Sequence, residues 1–406
     1  MSEAPVIIVG AGIGGLTAAL ELAVKGCPVL VLERQKTVGG KMRQVHFDGF
    51  AGIDSGPTVF TMRWVFDELF DNLGLDFNAE VPLKKLNLLA RHGWPDGSRL
   101  DLFADTERSA DAIGTFAGSE DASAYRQFAK TSADVFETLD RTFMRASRPN
   151  PLSLTARIAR QNVRGMTAIH PFRTLAAELA RTFRDPRLQQ LFGRYATYTG
   201  GSPYLAPATL MLIAHAERCG VWIADGGMHA LATTFADLVT QHGGTVRCGA
   251  HVSDISVSGG RASGVQLADG EAIAASAIIF NGDVSALGAG HLGAATADKH
   301  KRQAVQPADR SQSAMTWSAI ARGASDDIAP HTVAFGPDYA SEFADVFDRR
   351  RPPASPTVYI HAPDRPAGGG RVASRATHQP TSESRERIFM LVNAPPHQSP
   401  REAPST

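Results

Sequence analysis

A glycine-rich turn between two buried strands constrains the fold of this chain more than any other feature. It lies in VIIVGAGIGGLTAALELAVKGCPVLVLER, residues 6–34. The β-branched run from Val6 to Val9 is typical of a strand buried on both faces of a parallel sheet. Apolar residues then recur at helical spacing from Leu16 to Ala23, and Gly26 is placed to end the helix. Because Val29 to Leu32 predicts a second buried strand, the stretch predicts a βαβ unit.

Three glycines in the turn have the spacing of a dinucleotide-binding site. Gly10 permits the tight turn, Gly12 lets the backbone approach a pyrophosphate, and Gly15 lets the helix pack on the strands. Helix N-terminal N–H groups then face the phosphates. Glu33 ends the second strand, where its carboxylate can accept hydrogen bonds from ribose hydroxyls. An ordinary glycine turn, the alternative, does not account for strand, helix, strand and acid in register.

The residues after Glu33 indicate which dinucleotide binds. A second pair, Gly39-Gly40, follows closely with Lys41 behind it, and a nicotinamide fingerprint does not require this pair. By loop chemistry alone it is also compatible with an ordinary turn. The pattern resembles the flavin amine oxidase and phytoene desaturase superfamily, in which a Gly-Gly turn with a basic residue follows the ribose acid. DSGPT, at residues 54–58, resembles the Asp-x-Gly-Pro segment of that family. The resemblance implies FAD as the cofactor.

Length and charge restrict the remaining function classes. A chain of 406 residues exceeds what one hydrophobic core usually organises, which predicts two domains. A hydrophobic content of 43% and a charged content of 20% are typical of a globular protein. Because 41 basic residues balance 41 acidic residues, the composition does not favour a nucleic-acid partner.

Cysteine usage and hydropathy bear on location. Cys27, Cys219 and Cys248 are far apart and odd in number, so they predict neither a disulfide framework nor a CxxC site, and a cytoplasmic location is expected. The N-terminus has no basic targeting region. The longest apolar candidate, residues 204–216, is interrupted by Pro207, so we expect no membrane-spanning segment.

The pattern along the chain predicts an α/β fold in which a Rossmann-like FAD-binding domain is interleaved with a mainly helical substrate domain. The expected segments are 1–85, first part of the FAD domain; 86–220, substrate and membrane-facing domain; 221–300, second part of the FAD domain; 301–387, second part of the substrate domain; and 388–406, a truncated end of the FAD domain with a disordered tail.

Local patterns predict individual elements. A helix is predicted from Met228 to His242, followed by strands at 245–248 and 251–257. Asp269-Gly270 is a turn signal between two β-prone runs, which predicts a hairpin. Apolar spacing from Phe172 to Phe183 predicts a helix in the substrate domain.

Three blocks narrow the resemblance. YATYTGGSPYLAPATLMLIAHAE (195–217), GVWIADGGMHAL (220–231) and AIIFNGD (277–283) resemble the phytoene desaturase-type carotenoid desaturases, and within them the bacterial hydroxyneurosporene and methoxyneurosporene desaturases. The likeness extends from residue 1 to about 395. It implies an FAD-dependent oxidoreductase of carotenoid biosynthesis that introduces a C=C bond into an acyclic carotenoid.

The resemblance also assigns cofactor-binding residues. The glycine turn serves the pyrophosphate, Glu33 the ribose, and the backbone of Val252 the adenine, although Val252 as a bare residue is more typical of a core. The full set is Gly10, Gly12, Gly14, Gly15, Glu33, Arg34, Gly39, Gly40, Lys41, Asp54, Gly56, Pro57, Thr58 and Val252. No metal-ligand cluster is evident.

Desaturation demands little polar chemistry from the protein. The flavin N5 accepts the hydride, and the protein aligns an apolar substrate and excludes water. Leu, Ile, Phe and Tyr between residues 150 and 216 suit such a tunnel and suit a plain core equally. His215 and Glu217 lie two apart, which is a strand-face and not a helix-face spacing, so a shared acid–base site is not supported. A solvated histidine and a surface acid are expected there. No catalytic residue is assigned.

A basic block lies between residues 141 and 194. Arg157, Arg160 and Arg164 are spaced three and four apart, on one face if helical. We hypothesise that the block docks on anionic lipid and makes the protein peripherally membrane-associated. A solvated helical face is an equally open alternative, and a nucleic-acid patch is disfavoured by sparse aromatic residues. The arginines are Arg141, Arg145, Arg148, Arg157, Arg160, Arg164, Arg173, Arg181, Arg184, Arg187 and Arg194.

The C-terminal region departs from the family pattern. The strand IFMLVNAPP, residues 388–396, is followed by HQSPREAPST, where relatives continue into a further glycine-rich segment. Residues 363–387 are loop-like in composition. Three functions therefore stay open: a carotenoid desaturase, a flavin amine oxidase, and an inactive carotenoid- or membrane-binding remnant. The sequence does not indicate an oligomeric state.

Overall fold

The computed structural model describes residues 4–145, 173–301, 305, 310–322, 327–366 and 385–396. The strands are β1 (Val6–Val9), β2 (Val29–Glu33), β3 (Gln44–Val45), β4 (Ile53–Asp54), β5 (Leu83–Lys85), β6 (Leu88–Gly93), β7 (Arg99–Phe103), β8 (Trp222–Ala224), β9 (Thr245–Cys248), β10 (Val252–Ser258), β11 (Arg261–Leu267), β12 (Ala272–Ala274), β13 (Ala277–Phe280), β14 (Ser313–Arg322), β15 (His331–Ala334), β16 (Val358–His361) and β17 (Arg385–Ala394). The α-helices are α1 (Ile13–Val24), α2 (Arg63–Leu73), α3 (Phe77–Glu80), α4 (Thr106–Ala117), α5 (Ser119–Leu139), α6 (Leu175–Thr182), α7 (Pro186–Gly193), α8 (Leu212–Cys219), α9 (Met228–Gln241), α10 (Val284–Gly288), α11 (Ala294–His300) and α12 (Tyr339–Phe343).

The chain divides into two compact units, each assembled from two separate segments. The first unit comprises Met1–Lys84 and Ile223–Asp309, and the second comprises Lys85–Trp222 and Arg310–Thr406. In both units, therefore, residues distant in sequence are brought together by the fold.

A parallel four-stranded sheet forms the centre of the first unit, with the order β13-β1-β2-β9. β1 pairs with β2 from Val6 opposite Val29 and with β13 from Val6 opposite Ala277. Ile7 and Ile8 are fully buried, as the continuous apolar run of β1 requires of an inner strand. The predicted βαβ unit and Rossmann-like fold class are confirmed.

A smaller antiparallel sheet, β10-β11-β12, completes the first unit. The turn between β11 and β12 contains Gly270 with φ +95°, as the predicted hairpin requires. The predicted helix from Met228 is α9, which ends one residue earlier than expected, at Gln241. The strand expected from His251 begins at Val252 instead.

The second unit contains a six-stranded sheet with the order β14-β17-β16-β15-β6-β7. Only β15 and β6 pair in parallel among these neighbours. Val333 lies opposite Tyr359, and both contact a core that includes Leu179 of α6 and Phe192 of α7. The face of the sheet that carries Val333 is therefore covered by helices.

The opposite face carries apolar side chains that stay partly exposed. Trp317 lies opposite Met390, and Met390 lies opposite Ile360. Directly opposed residues share a face, and Ile360 adjoins Tyr359 in β16, so these three point away from the helices. Trp317 is 48% exposed, whereas Met390 and Ile360 are half-buried. We call Trp317, Met390 and Ile360 the Trp317 row.

The final described strand differs from the expectation of a truncated FAD-domain end. β17 pairs with β14 and β16 in the sheet of the second unit, and Phe389 is fully buried there. It also begins at Arg385, within a stretch expected to be loop. A polar start to a buried strand is possible here because Glu386 forms a buried ion pair with Arg365. The remainder of the expected tail, 397–406, lies outside the described residues.

The expectation of a surface acid at Glu217 was wrong. His215 and Glu217 both lie in helix α8, where residues two apart face different directions. Glu217 is 5% exposed, and the hydroxyl of Tyr195 compensates its burial by donating a hydrogen bond of 2.9 Å to the carboxylate. The acid is therefore an internal group and not a surface one, and His215 is only half-exposed.

The predicted helix at Phe172 is partly observed. α6 begins at Leu175, after Thr174 whose hydroxyl caps it, and Phe183 is buried just beyond its end. Phe172 lies outside the described residues.

Much of the basic block also lies outside the described residues: Arg148, Arg157, Arg160 and Arg164, together with the side chain of Arg141. Among the others, five are in ion pairs: Arg145 with Asp140, Arg173 with Glu178, Arg184 with Glu120, Arg187 with Asp185, and Arg194 with Glu217. Arg181 is exposed. The described arginines therefore offer little uncompensated positive charge.

Three absences hold within the described part of the chain. It contains no helix with the length and apolarity needed to cross a bilayer. It also contains no group of three or more His, Cys, Asp or Glu side chains arranged to hold a metal ion. Cys27, Cys219 and Cys248 are free thiols.

Candidate cofactor site

The glycine turn of the first unit connects β1 to α1. Gly10 has φ +103°, a conformation that L side chains rarely adopt, and its N–H donates to the carbonyl of Leu32 at 2.8 Å. Gly12 is the N-cap of α1 and provides no side-chain cap, which leaves N–H groups of the first turn for a ligand. A Cβ on Gly15 would overlap the Gly10 carbonyl oxygen. These positions therefore require glycine for conformation, ligand access and packing respectively.

Glu33 lies at the C-terminal end of β2 beside this turn. One carboxylate oxygen accepts the backbone N–H of Ala11 at 2.8 Å, and the other accepts that of Gln35 at 2.9 Å. The residue is 6% exposed, so its orientation is fixed. Since each carboxylate oxygen has a second acceptor site, Glu33 can also accept hydrogen bonds from ribose hydroxyls.

The Gly39-Gly40 turn packs directly on the glycine turn. The N–H of Gly39 donates to the carbonyl of Ala11 at 2.8 Å, and Gly39 forms a parallel bridge with Gly12. A Cβ on Gly40 would lie 3.2 Å from the Cα of Gly12. Lys41, which follows this turn directly, is exposed.

Asp54 positions this region through backbone hydrogen bonds. Its Oδ2 accepts the N–H of Met228 at 2.6 Å and its Oδ1 accepts that of His229 at 3.2 Å. It thereby caps the N-terminus of α9 from the side of β4. Gln44 donates a further hydrogen bond to Oδ1 at 3.1 Å. Asp54 is therefore engaged with the scaffold through both oxygens.

The remaining proposed residues lie around the same turns. Gly56 packs so tightly on the carbonyl of Lys41 that a Cβ would overlap it. Thr58 is buried, whereas Pro57 and Arg34 are exposed. Gly14 is the exposed position of the glycine turn.

Val252 is a core residue by its side chain. It is 4% exposed and packs in a cluster with Ile7 and Leu32. Two residues earlier, the N–H of Ala250 donates to the carbonyl of Glu33 at 2.8 Å, which brings the start of β10 next to the ribose acid. An adenine contact through the Val252 backbone is compatible with this position and stays a proposal.

Two residues in the region were not found from the sequence. The Nδ1 of His229 lies 2.8 Å from the carbonyl oxygen of Met42. Because a carbonyl oxygen can only accept a hydrogen bond, Nδ1 carries the proton and donates it. His229 fastens the Gly39-Gly40 turn to α9. Asn281 follows β13 and lies against the glycine turn. The quoted blocks GGMHAL and AIIFNGD contained both residues, but no spacing rule distinguished them.

Together these turns form a cradle that fits a dinucleotide. Glycines stand where any Cβ would collide with neighbouring backbone, helix N–H groups are uncapped, and a buried carboxylate has acceptor capacity for ribose. These features accommodate the pyrophosphate and ribose of FAD. The arrangement binds and orients a cofactor, and none of these groups has the pairing of a nucleophile with a base.

Comparison with known proteins identifies the family. The pattern of the flavin containing amine oxidoreductase family matches residues 13–316. A hydroxyneurosporene desaturase of Rubrivivax gelatinosus is 46% identical over 391 residues, which are 96% of this chain and 72% of that protein. The chain belongs to the flavin-containing amine oxidoreductase family and, within it, to the carotenoid desaturases. FAD is therefore its cofactor.

A second relative agrees with this desaturase family, and a solved structure shows the fold. A hydroxyneurosporene desaturase of Cereibacter sphaeroides is 43% identical over 392 residues, 96% of this chain and 76% of that protein. The crystal structure of an oxidoreductase from Methanosarcina mazei matches with a TM-score of 0.58 at 15% identity, covering 96% of this chain and 79% of that one. The latter shows that the fold is that of a known oxidoreductase.

The second unit of this desaturase-family chain contains a buried polar cluster. Tyr195 and Tyr198 both donate to Glu217, and Arg194 approaches the same carboxylate at 3.3 Å. Burial, reinforced by the Glu217 carboxylate, raises the pKa of Tyr195 well above its usual value, so its hydroxyl stays protonated and donates. The Glu217 carboxylate thus has three partners in the cluster, whereas the Nε of Arg194 is buried without a hydrogen-bond partner among the described residues.

Buried histidines occupy the helix-covered face of the second sheet. Burial, together with the charge of Arg194, lowers the pKa of His92 to about 3. Burial likewise lowers the pKa of His331 well below its usual value, with His361 and Arg194 adding to the effect. His331 stacks on His361 with ring centroids 4.9 Å apart. Both shifted histidines are therefore neutral at physiological pH.

Proposed function

We propose that this protein is an FAD-dependent desaturase that introduces a C=C bond into an acyclic carotenoid such as hydroxyneurosporene or methoxyneurosporene, in carotenoid biosynthesis. The observation that carries the proposal is the 46% identity to a hydroxyneurosporene desaturase over 96% of the chain. When bound, the flavin supplies hydride acceptance from an unactivated carbon chain.

The proposed role of the first unit is to hold FAD. The N–H groups at the start of α1 would bind the pyrophosphate, Glu33 the ribose, and Lys41 would neutralise phosphate charge. Asp54 and His229 would keep the two glycine turns in place against α9. The other proposed cofactor residues would complete the same site.

The proposed role of the second unit is to align the substrate. A polyene has no polar groups along most of its length, so an extended apolar surface suits it better than a polar pocket. The Trp317 row provides a half-exposed apolar strip across β14, β17 and β16. We infer that carotenoid packs along this strip while water is excluded.

Product analysis tests the proposed reaction. The full-length protein would be expressed in cells that accumulate hydroxyneurosporene, and extracted carotenoids compared by chromatography and absorption spectra. One additional conjugated double bond moves the absorption bands to longer wavelength, and we expect this product only when the protein is present. A Gly15→Ala variant serves as a control, because its cofactor cradle is obstructed.

The opposite outcomes discriminate between functions. Peroxide production from polar amines without a change in carotenoid would favour an amine oxidase. Retention of FAD with neither activity would favour a non-catalytic remnant. Either result would overturn the proposed desaturation.

We further propose a cytoplasmic, peripherally membrane-associated location. A carotenoid dissolves in the bilayer, so an enzyme acting on it gains from contact with the membrane surface. Because the described arginines are largely ion-paired, lipid attraction depends on Arg157, Arg160 and Arg164, which lie outside the described residues. Basic residues near an anionic surface contribute about 1 kcal/mol each.

Vesicle flotation tests the docking. We expect the wild type to float with anionic vesicles at low salt, and Arg157→Glu/Arg160→Glu/Arg164→Glu to remain at the bottom of the gradient. The matched control is Lys25→Glu/Lys130→Glu/Arg261→Glu, which changes the net charge equally at exposed positions elsewhere. Equal flotation of both triple variants would contradict a role for the block.

A further inference from the structure

Asn281 occupies the point of the first unit's sheet where open α/β folds bind ligands. The chain proceeds outward from β1 to β2 on one side, and β13 joins β1 on the other. The strand order therefore reverses between β1 and β13, and a crevice forms there beyond the carboxyl ends of the strands. Asn281 is the first residue after β13, and its backbone N–H donates to the carbonyl of Val9, the last residue of β1, at 2.9 Å.

The side chain of Asn281 lies against the glycine turn. Its Nδ2 donates to the Gly10 carbonyl at 3.4 Å. A Cβ would lie 3.2 Å from this Nδ2 if built on Gly12, and 2.9 Å from Oδ1 if built on Gly14. On Gly15 it would lie 2.9 Å from Nδ2. One carboxamide therefore occupies the space that side chains at three positions of the turn would need.

Only part of the hydrogen-bonding capacity of Asn281 is used by the turn. A primary amide has two N–H donors, and the Gly10 carbonyl accepts one of them. The residue is half-buried and follows the carboxyl end of β13, where the crevice is expected. A second donor facing the crevice is suited to an anionic oxygen, because hydrogen bonds to charged acceptors are stronger than neutral ones.

We propose that Asn281 is a positioning residue for the pyrophosphate of the cofactor: one amide N–H holds the Gly10 carbonyl, and the other donates to a phosphate oxygen. The proposal rests on the FAD cofactor assigned above. It accounts for the three glycines of the turn that face this side chain, since a Cβ at any of them would crowd the amide.

FAD titration of the full-length apoprotein tests the proposal, with flavin fluorescence as the readout. Asn281→Ala removes both donors, and we expect the Kd for FAD to rise about tenfold, the effect of one hydrogen bond to a charged group. Asn281→Asp keeps the shape but places a carboxylate beside the phosphate, and we expect a rise of about 100-fold. Asn72→Asp adds the same charge at an exposed position of α2 and should leave the Kd within about twofold.

Competition with FAD fragments separates phosphate contact from packing of the turn. ADP contains the pyrophosphate and adenosine does not. We expect Asn281→Ala to weaken ADP and to leave adenosine unchanged. Equal weakening of both fragments, or an Asn281→Asp variant with wild-type FAD affinity, would overturn the proposal. If Asn281→Asp does not fold, Asn281→Ser is the alternative variant, because it is neutral and keeps one donor. It should bind FAD more tightly than Asn281→Ala. Equal FAD affinities of these two variants would contradict the proposal. A wild type that binds no FAD would instead overturn the cofactor assignment itself.

Discussion

Arg365 and Glu386 form a buried ion pair through two hydrogen bonds of 2.6 and 2.7 Å. Their side chains are 1% and 4% exposed. The pair connects the segment after β16 to the beginning of β17. Because Arg365 compensates the charge of Glu386, the polar residues at the start of β17 can enter a buried part of the sheet.

Removal of one partner should destabilise the second unit strongly. We expect Glu386→Ala to lower the free energy of unfolding by about 3–5 kcal/mol, because it removes the carboxylate that accepts two hydrogen bonds from the buried Arg365 guanidinium. Denaturant unfolding followed by circular dichroism measures the change. Glu271→Ala, which breaks an exposed pair with Arg247, should have little effect. Equal effects of the two substitutions would contradict the role of burial.

Gly15→Ala should abolish tight FAD binding. The added methyl group would overlap the Gly10 carbonyl oxygen, so the turn must shift away from its cradle shape. Flavin absorbance of the reconstituted, desalted protein reports the loss. Gly93→Ala is the matched control, since a Cβ there has nothing within 4 Å and φ is not positive. A yellow Gly15→Ala protein would show that the turn tolerates the shift.

Asp54→Asn should weaken both stability and cofactor binding. In asparagine an NH2 group replaces one of the two carboxylate oxygens that accept the N–H groups of Met228 and His229. The cap of α9 is therefore weakened, and the free energy of unfolding falls by about 1 kcal/mol. Because α9 also holds the Gly39-Gly40 turn through His229, FAD affinity should fall as well. Asp105→Asn, which alters the cap of α4 in the second unit, should lower stability alone. Unchanged FAD affinity in Asp54→Asn would show that the cap of α9 does not contribute to cofactor binding.

Trp317→Glu should impair desaturation without loss of FAD. A carboxylate in the Trp317 row must be desolvated when a polyene packs on it, which raises the KM for the carotenoid. Thr316→Glu places the same charge one residue earlier, on the opposite face of β14, and should have a smaller effect. The measurements are product formation against substrate concentration and the flavin content of each protein. Equal KM values for Trp317→Glu and Thr316→Glu would show that the Trp317 row does not bind the substrate.

Acidification should destabilise the second unit through its buried histidines. In the folded protein the pKa of His92 is lowered from 6.5 to about 3, so the unfolded chain binds a proton first as the pH falls. Stability is therefore lost progressively below pH 6.5 and down to about 3, by up to about 1.4 kcal/mol per pH unit for each such histidine. His92→Phe should show a shallower decline in denaturant midpoint than the wild type. His242→Gln, at an exposed position, should follow the wild type, and a His92→Phe profile parallel to it would contradict this account.

The parts of the fold that were predicted from sequence are those set by local pattern. The β1-α1-β2 unit, α9 and the β11-β12 hairpin each depend on periodicity and glycine placement within one short segment. The six-stranded sheet was not predicted, because β6 pairs with β15 from a distant segment and nothing local specifies that partner. The same reason explains β17, whose apolar run identified a strand but not its sheet.

Site residues that belong to a motif with a characteristic spacing were predicted from the sequence, whereas a single residue outside any motif was missed. The glycines and Glu33 form a pattern, whereas Asn281 is one polar residue after a strand and becomes significant only through its contacts with the turn. Glu217 was assigned to the surface because carboxylates are rarely buried without partners, and its partners could not be identified from the sequence. The hydroxyls that compensate its burial belong to Tyr195 and Tyr198, which lie 22 and 19 residues earlier in the sequence.

The hydrogen bond between Gly10 and Asn281 joins residues 271 positions apart in sequence. During synthesis, β1 therefore emerges long before β13, its neighbour on one side of the sheet, and the intervening residues of the second unit are made first. Closing so large a loop carries an entropic cost that must precede any gain from the pairing. The cofactor cradle therefore cannot be completed until β13 and the long segment of the second unit that precedes it have been synthesised, and FAD uptake during translation would report that almost the whole first unit has folded.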